Sequence, residues 1–195
     1  MAATLKQAAV DAIKSDFHFK HTGGGVKIVE SGADTKNSSL IIKPGHGGVA
    51  VLSFDKPRTK GGGDPVFPYF IEGVPGLCRK CDAIAIFQHE DISWVIAIEL
   101  KSRNFGSAAE QLNAGTIFSR FLAHRLSSLV NAKLDIMVGA VLFAISPIVQ
   151  KRAKQNVLNV RDIEGVKAAV VYDKLEIHMP ELLKFVIDNK LARTL

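Results

Sequence analysis

The stretch "CDAIAIFQHEDISWVIAIELKS", residues 81–102, contains two apolar segments joined by the acidic turn "HEDI". Runs of this length, rich in isoleucine and valine and separated by a short polar turn, predict a β-hairpin. Each predicted strand carries charge at the end far from the turn, with Asp82 on the first strand and Glu99 and Lys101 on the second. Charged side chains at the end of such an apolar hairpin require a physical explanation.

The register of the hairpin follows from its turn. If 89–92 form the loop, Gln88 pairs with Ser93, and counting outward from this pair puts Asp82 opposite Glu99. Directly opposed residues on antiparallel strands have Cβ atoms about 4.5–5.5 Å apart, and two like charges at that separation are destabilising. A divalent cation would neutralise them, because hard cations bind carboxylate oxygens.

Alternation along the second strand separates its side chains into two groups. Ile96, Ile98 and Leu100 share the face that we expect to be the core face, and Glu99 and Lys101 share the other. Lys101 lies roughly 6–7 Å along the strand from Glu99, which is within reach of the outer shell of a bound ion. The alternative is that the three charged residues form a surface ion-pair cluster that contributes little to stability.

Periodicity and turn residues predict the remaining elements. Helices are predicted over 2–15, 107–130, 147–160 and 180–191, the third being short with a basic face. Further strands are predicted over 26–31, 38–43, 48–54, 134–146, 167–173 and 175–179. A long loop rich in glycine and proline is predicted over 55–76, and loops of this length are often functional.

The helix after the hairpin has a start signal and an apolar side. Ser107 and Glu110 have the spacing of a capping box, in which each side chain satisfies a backbone N–H at the helix start. The apolar side is predicted to comprise Ala108, Leu112, Phe118, Phe121 and Leu122.

Composition places the chain among compact globular proteins. Its 195 residues are 47% hydrophobic, which is enough for a single domain over residues 1–195 with a core of its own. Its formal net charge of +6 favours polyanionic partners such as nucleic acid, although ordinary surface lysine explains the charge equally well. No apolar run reaches the roughly 18–20 residues of a membrane helix, so we expect a cytoplasmic protein with no membrane partner.

These motifs resemble the PD-(D/E)XK nuclease superfamily, whose fold is restriction-endonuclease-like. "CDAIAIF" corresponds to the aspartate strand, "VIAIELKS" to the E-x-K strand, and "AAEQLNAG" to the helix that follows. The resemblance covers about residues 80–145, and no proline precedes Asp82 where the namesake motif has one. It implies an α/β (α+β mixed sheet) fold with a central mixed sheet flanked by helices, in the order α-β-β-β-α-β with extra strands.

The resemblance also implies a function. Asp82 and Glu99, with the carbonyl of Leu100, would ligate Mg²⁺ or Mn²⁺, and Lys101 would orient the attacking water and stabilise charge on the phosphate. The implied activity is hydrolysis of phosphodiester bonds in DNA, in restriction, phage defence or repair. Gln111 matches a helix position that faces the metal site in some relatives, and an ordinary polar role for it is equally well supported. Such domains often work as homodimers or with a targeting protein partner.

The main alternative is a catalytically inactive module of the same fold that binds nucleic acid or a protein partner. In either case Arg58, Lys60 and Arg103 are candidates for contacts to the nucleic-acid backbone, because cations near glycine-rich loops can hold phosphates. The aromatic residues Phe67, Tyr69 and Phe70 of the long loop could stack on bases, although such side chains more often fill the core beneath a loop.

Other candidates have weaker support. The cationic stretch 150–154 and Arg161 could line a DNA track, although solvated helix charge is the default interpretation. Asp11, Asp16 and Glu30 could each join the metal site, and no spacing selects one of them. The cysteine pair Cys78 and Cys81 could form half of a zinc site with the histidine pair His18 and His21, but two reduced structural thiols are the expected outcome.

Overall fold

The protein is represented by a computed structural model that describes residues 2–29, 39–45, 47–54, 64, 66–67, 78–101, 107–144, 158–163, 166–172 and 176–195. The described residues form an α+β fold with three α-helices and two mixed β-sheets. The helices are α1 (Leu5–Ala12), α2 (Ala108–Ser127) and α3 (Met179–Asp188), and a single 3₁₀ turn spans Ser15–Phe17. The strands are β1 (His21–Thr22), β2 (Gly25–Val29), β3 (Ser39–Lys43), β4 (Val49–Leu52), β5 (Ala83–His89), β6 (Ile92–Lys101), β7 (Asp135–Ala144), β8 (Leu158–Ile163), β9 (Val166–Tyr172), β10 (Glu176–His178) and β11 (Ala192–Thr194).

The larger sheet has the strand order β4-β5-β6-β7-β9-β8, with β11 paired to the first half of β7. Strands β4, β5 and β6 form an antiparallel meander, whereas β6 and β7 are parallel. A parallel pair needs a crossover connection, and α2 supplies it. The elements at the centre of this sheet and the helices that pack on them follow along the chain as α1, β4, β5, β6, α2 and β7, with β1–β3 between α1 and β4.

The two faces of the larger sheet are covered differently. Helices α1 and α2 cover one face, where Leu5 and Leu112 pack against side chains such as Ile86. The smaller sheet, in the order β1-β2-β3-β10, covers the other face together with α3. The sequence predicted the strands that correspond to β2, β3 and β10, but neither β1 nor the second sheet that these strands form. The central sheet is therefore flanked by helices alone on only one side.

Burial on both faces corrects the expectation of a single core face on β6. Ala97 and Glu99 are as fully buried as Ile96 and Ile98. The reason is that α2 lies directly over the face that carries Glu99, a contact between elements that alternation along one strand does not reveal. Strands buried on both faces are typical of sheets covered on both sides.

The predicted register of the hairpin is confirmed. Gln88 pairs with Ser93, and Ala83 pairs with Ile98, which places the next residue outward, Asp82, beside Glu99. The turn is tighter than predicted, because the strands continue one pair further and leave two residues, 90–91, between them. The first of these turn residues adopts a positive φ of 52°.

Helix α2 begins where predicted, but not through the predicted capping box. The side chain of Ser107 makes no capping hydrogen bond, and its hydroxyl donates instead to Gln111. Glu110 pairs with Arg79. The apolar side is also narrower than predicted, because Phe121 is 57% exposed and stacks on the partly buried Phe118 rather than entering the core.

Two predicted segments lie mostly outside the described residues. The helix predicted over 147–160 is contradicted at its end, where Leu158 begins strand β8, and its earlier residues are not described. Of the predicted loop at 55–76, only residues 64, 66 and 67 are described. Among the helices that the structure describes, none is both long enough and apolar enough to span a membrane.

Candidate functional site

Asp82 and Glu99 meet where the outer end of the β5–β6 hairpin passes beneath α2. The backbone N–H of Asp82 donates to Oε2 of Glu99 at 3.3 Å. The backbone N–H of Leu100 donates to Oδ2 of Asp82 at 2.7 Å. Each carboxylate is therefore held by the neighbouring strand, and the two predicted metal ligands lie side by side.

Lys101 and Gln111 join this pair from the end of β6 and the first turn of α2. Nζ of Lys101 lies 2.7 Å from Oε1 of Glu99 and donates to Oε1 of Gln111 at 2.6 Å. The hydroxyl of Ser107 donates to the same Gln111 oxygen at 2.8 Å. Gln111 thus fixes the position of the lysine, and the four predicted site residues form one connected cluster.

Burial and a neighbouring like charge shift the pKa of Glu99 in this cluster. The side chain of Glu99 has no exposed surface, and Asp82 is only 8% exposed. Burial, followed by the neighbouring Asp82 charge, raises the pKa of Glu99, the Lys101 ammonium opposes both effects, and the net result is a pKa of about 8. A positive charge bound at this point would favour the ionised form of both acids.

The donor set fits a hard divalent cation in chemistry but is small in number. Oε1 of Glu99 is buried, and its contact among the described residues is the ion pair with Nζ of Lys101 at 2.7 Å. Mg²⁺ is commonly bound by one or two carboxylates, with water and substrate phosphate completing its shell. In the described part of the chain, no third histidine, cysteine or acidic side chain joins Asp82 and Glu99. Leu100 contributes its N–H here, and its carbonyl as a ligand stays a prediction.

A cavity of about 390 Å³ opens beside Lys101. Its lining comprises Cys78, Arg79, Lys80, Lys101, Ser107 and Gln111. Three of these residues are cationic, so the cavity suits an anion, although Arg79 is paired with Glu110 and Lys80 with Asp64. Neither Asp82 nor Glu99 lines the cavity, whereas Lys101, which contacts Glu99, and Gln111, which contacts Lys101, both do.

Sequence reasoning missed the contribution of Arg79 and Lys80. Both belong to the segment "CRKC", which was interpreted only through its cysteines. The signal that points to them is their position directly before the aspartate strand, since residues there reach the same end of the sheet as Lys101.

The zinc alternative finds no support in the contacts. Burial, followed by the charges of Glu99 and Asp82, raises the pKa of Cys81 to about 12, and its thiol donates to a backbone carbonyl at 3.2 Å. A neutral thiol is a poor zinc ligand. His18 and His21 each contact a backbone carbonyl through Nε2 at 3.1 Å, and neither of these contacts involves a cysteine.

The remaining predicted residues have other positions. Arg58, Lys60 and Arg103 lie outside the described residues, as do Glu30, Tyr69, Phe70 and the stretch 150–154. Arg161 lies in β8. Asp11 and Asp16 are exposed, and the first accepts a hydrogen bond from Gln7 at 2.7 Å. Phe67 packs edge-on against Phe118 at 5.6 Å, as expected for an aromatic side chain that fills the space beneath a loop.

Comparisons of the chain with protein-family models, with curated proteins and with solved structures found no match.

Proposed function

We propose that this protein is a metal-dependent nuclease of the PD-(D/E)XK type that hydrolyses phosphodiester bonds in DNA. The observation that carries the proposal is the convergence of Asp82, Glu99, Lys101 and Gln111 on one point through direct contacts. Sequence reasoning named these four residues on the basis of two strands and a helix, and a chance surface cluster of charges has no reason to be buried and connected in this way.

The order of elements around the larger sheet gives further support. The resemblance implies a helix, three strands, a helix and a strand, with extra strands, and the chain has this order in α1–β4–β5–β6–α2–β7 once β1–β3, which lie between α1 and β4, are set aside. A restriction-endonuclease-like core is therefore part of the proposal.

Each residue has a role in the proposed reaction. Asp82 and Glu99 would hold Mg²⁺ or Mn²⁺, and a bound ion supplies an activated water and screens the charge that develops on the phosphate. Gln111 positions Lys101, whose ammonium would leave Glu99 for the substrate phosphate. Lys80 and Arg79 also line the cavity beside Lys101, where they would add positive charge beside an entering scissile phosphate.

Cleavage of supercoiled plasmid with Mg²⁺ or Mn²⁺, and with EDTA, tests the proposal. We expect nicking only with the metal, and a loss of roughly 100-fold or more in Glu99→Gln and in Lys101→Met. Lys133→Met is the matched control, because this exposed lysine lies just before β7, at the opposite end of the sheet. Nicking that persists at the native rate in Lys101→Met would exclude the proposed role of that lysine.

One observation favours a second candidate, a non-catalytic module of the same fold that binds nucleic acid or a protein. Glu99 has no exposed surface, and Lys101 already contacts its Oε1 at 2.7 Å without any metal. A buried contact of this kind is expected where charged side chains stabilise the fold and bind no metal.

Calorimetric titration with Mn²⁺ separates the two candidates. Heat of binding that disappears in Asp82→Asn and Glu99→Gln supports the nuclease. Absence of binding to the native chain, with DNA binding retained, supports the non-catalytic module.

A further inference from the structure

A second cavity, of about 350 Å³, lies between α2, the first half of β7 and the turn that leads from α3 into β11. Part of its wall is apolar and is formed by Val138 and Ala140 of β7 and by Leu191. None of its lining residues lines the cavity beside Lys101.

Three cations from three different elements line this cavity. Arg120 comes from α2, Lys190 from the turn after α3, and Arg193 from β11. The side-chain amide of Asn113 adds a polar group, and no acidic side chain is present in the lining that the structure describes. Cations brought together without a counter-charge repel one another, so the arrangement favours an anionic ligand.

One donor in this cavity lacks an acceptor among the described residues. Nε of Arg120 is buried and has no hydrogen-bond partner among the described residues. A buried N–H without an acceptor costs free energy, and a ligand oxygen would remove that cost. Lys190 has a φ of 54° because it follows the C-cap of α3 in the turn that ends the helix, where its N–H donates to the carbonyl of Ile187, and this turn places the cation at the cavity.

The number of charges indicates which anion fits. A carboxylate carries one negative charge and two acceptor oxygens. It would therefore leave part of the positive charge of three separate cations without a partner. A terminal phosphate carries nearly two charges and three acceptor oxygens, and the guanidinium group is suited to phosphate oxygens.

The position of the cavity separates it from the candidate nuclease site. Arg120 lies nine residues after Gln111 on α2, so at about 100° per residue the two side chains leave opposite sides of the helix. Between them lies the exposed ridge of the helix, which carries Ile117 and Phe121. A DNA strand bound at Lys101 would therefore have to cross this ridge to reach the cavity.

We infer that this cavity is a phosphate-binding site for a small phosphorylated molecule, with Arg120, Lys190 and Arg193 contacting the phosphate oxygens and Val138 and Ala140 contacting an apolar part of the ligand. The site does not require the divalent cation of the proposed nuclease. Its test is therefore run in EDTA, where failure of the nuclease proposal has no effect on the result.

The probe is inorganic pyrophosphate, titrated calorimetrically into the native chain in a phosphate-free buffer with EDTA. We expect a pyrophosphate site whose affinity falls about tenfold or more in Arg120→Gln and in Arg193→Gln, because each loses a charged hydrogen bond, whereas these substitutions leave any binding beside Lys101 unchanged. Arg125→Gln is the matched control, because Arg125 is an exposed arginine on the same helix that does not line the cavity. Arg193 is itself exposed, so its variant keeps the test valid if Arg120→Gln disturbs folding.

The outcomes separate the sources of phosphate. Absence of pyrophosphate binding, or equal weakening in Arg125→Gln, would overturn the site. Displacement of pyrophosphate by a short DNA duplex, with duplex binding also weakened in Arg120→Gln, would support the phosphate site but assign it to the nucleic-acid backbone. Binding that the duplex leaves unchanged supports a small phosphorylated ligand.

Discussion

The side chain of Glu99 combines the three influences that shift a carboxyl pKa. It is buried, it lies beside another carboxylate, and it contacts a cation. The first two favour the protonated form and outweigh the third, so its pKa rises from 4.5 to about 8. The metal-free site is therefore most stable when this group holds a proton.

The first prediction concerns the effect of pH on stability. The folded chain keeps the Glu99 proton between about pH 4.5 and about pH 8, whereas the unfolded chain releases it, so the free energy of unfolding falls as pH rises through this window. Glu99→Gln imitates the protonated form, and we expect it to be more stable than the native chain at the upper end by on the order of 2–4 kcal/mol. Urea unfolding in EDTA at about pH 5 and about pH 9 checks this. An equal pH dependence in both chains would show that the carboxyl ionises without cost.

The pair formed by Asp64 and Lys80 links the long loop to the segment that precedes β5. Oδ2 of Asp64 lies 2.6 Å from Nζ of Lys80, and the side chains are 1% and 9% exposed. Burial alone would raise the pKa of Asp64, but its hydrogen bonds from Lys80 and from two backbone N–H groups, together with the Lys80 charge, lower it. This contribution to stability is therefore present above the ordinary value of 3.8 and is lost as the pH falls below it.

The second prediction follows from the burial of this pair. Lys80→Met leaves a buried carboxylate without its cation, and we expect a loss of about 3 kcal/mol in the free energy of unfolding at pH 7. Lys43→Met is the control, since its pair with Glu176 has exposures of 35% and 42% and should contribute less than about 1 kcal/mol. Urea unfolding of both variants gives the comparison. Equal losses would mean that Asp64 is satisfied by its backbone donors.

The packing of α2 on the hairpin depends on a glycine in the middle of the helix. A Cβ added at Gly115 would lie 2.6 Å from Sγ of Cys81 and 3.3 Å from Cβ of Ala97. Gly115 therefore permits the close approach that keeps Gln111, one turn earlier, in contact with Lys101.

The third prediction is that Gly115→Ala destabilises the fold by about 1–3 kcal/mol, because overpacking outweighs the gain of roughly 1 kcal/mol in helix propensity. Adding Cys81→Ala removes the nearest atom and should recover part of the loss. Gly23→Ala should change stability by less than about 0.5 kcal/mol, because an added Cβ there meets no atom within 4 Å. A double-mutant cycle from thermal unfolding measures the coupling. Additive effects of the two substitutions would contradict the close contact.

The larger sheet belongs to two hydrophobic cores at once. Along β6, Val95 and Ala97 pack into the core beneath α1 and α2, whereas Trp94 and Ile96 pack into the core shared with the smaller sheet and α3. A sheet that forms one wall of both cores couples their stabilities. Neither core can open without exposing a face of the same strands.

The fourth prediction is that the two cores unfold together. Trp94 is the single tryptophan and is 2% exposed, so its fluorescence reports the core that contains the smaller sheet. We expect its urea transition to coincide with the loss of helix measured by circular dichroism. Ile42→Ala, in the smaller sheet, should shift both transitions together by about 2–5 kcal/mol. A fluorescence transition that precedes the loss of helix would show that the smaller sheet is an independent unit.

The features that the sequence predicted correctly are local in origin. The register that brings Asp82 to Glu99 follows from a turn of a few residues and strict alternation, and the presence of α2 follows from the periodicity of its apolar residues. What failed depends on contacts between distant segments. Residues 41–43 pair in parallel with 176–178, and this pairing creates the second sheet. The predicted capping box was wrong because both of its side chains have other partners. The hydroxyl of Ser107 donates to Gln111, and Glu110 pairs with Arg79.

The sequence could therefore indicate which charged residues meet at the hairpin, because the turn and the alternation of side chains allow few pairings between the two strands. It could not indicate that the Glu99 side chain has no exposed surface, that Arg79 and Lys80 line the cavity beside Lys101, or that three cations line the cavity beside β11. Burial and electrostatic environment are sums over neighbours from many parts of the chain. Those neighbours are known only once the helices and sheets have packed together.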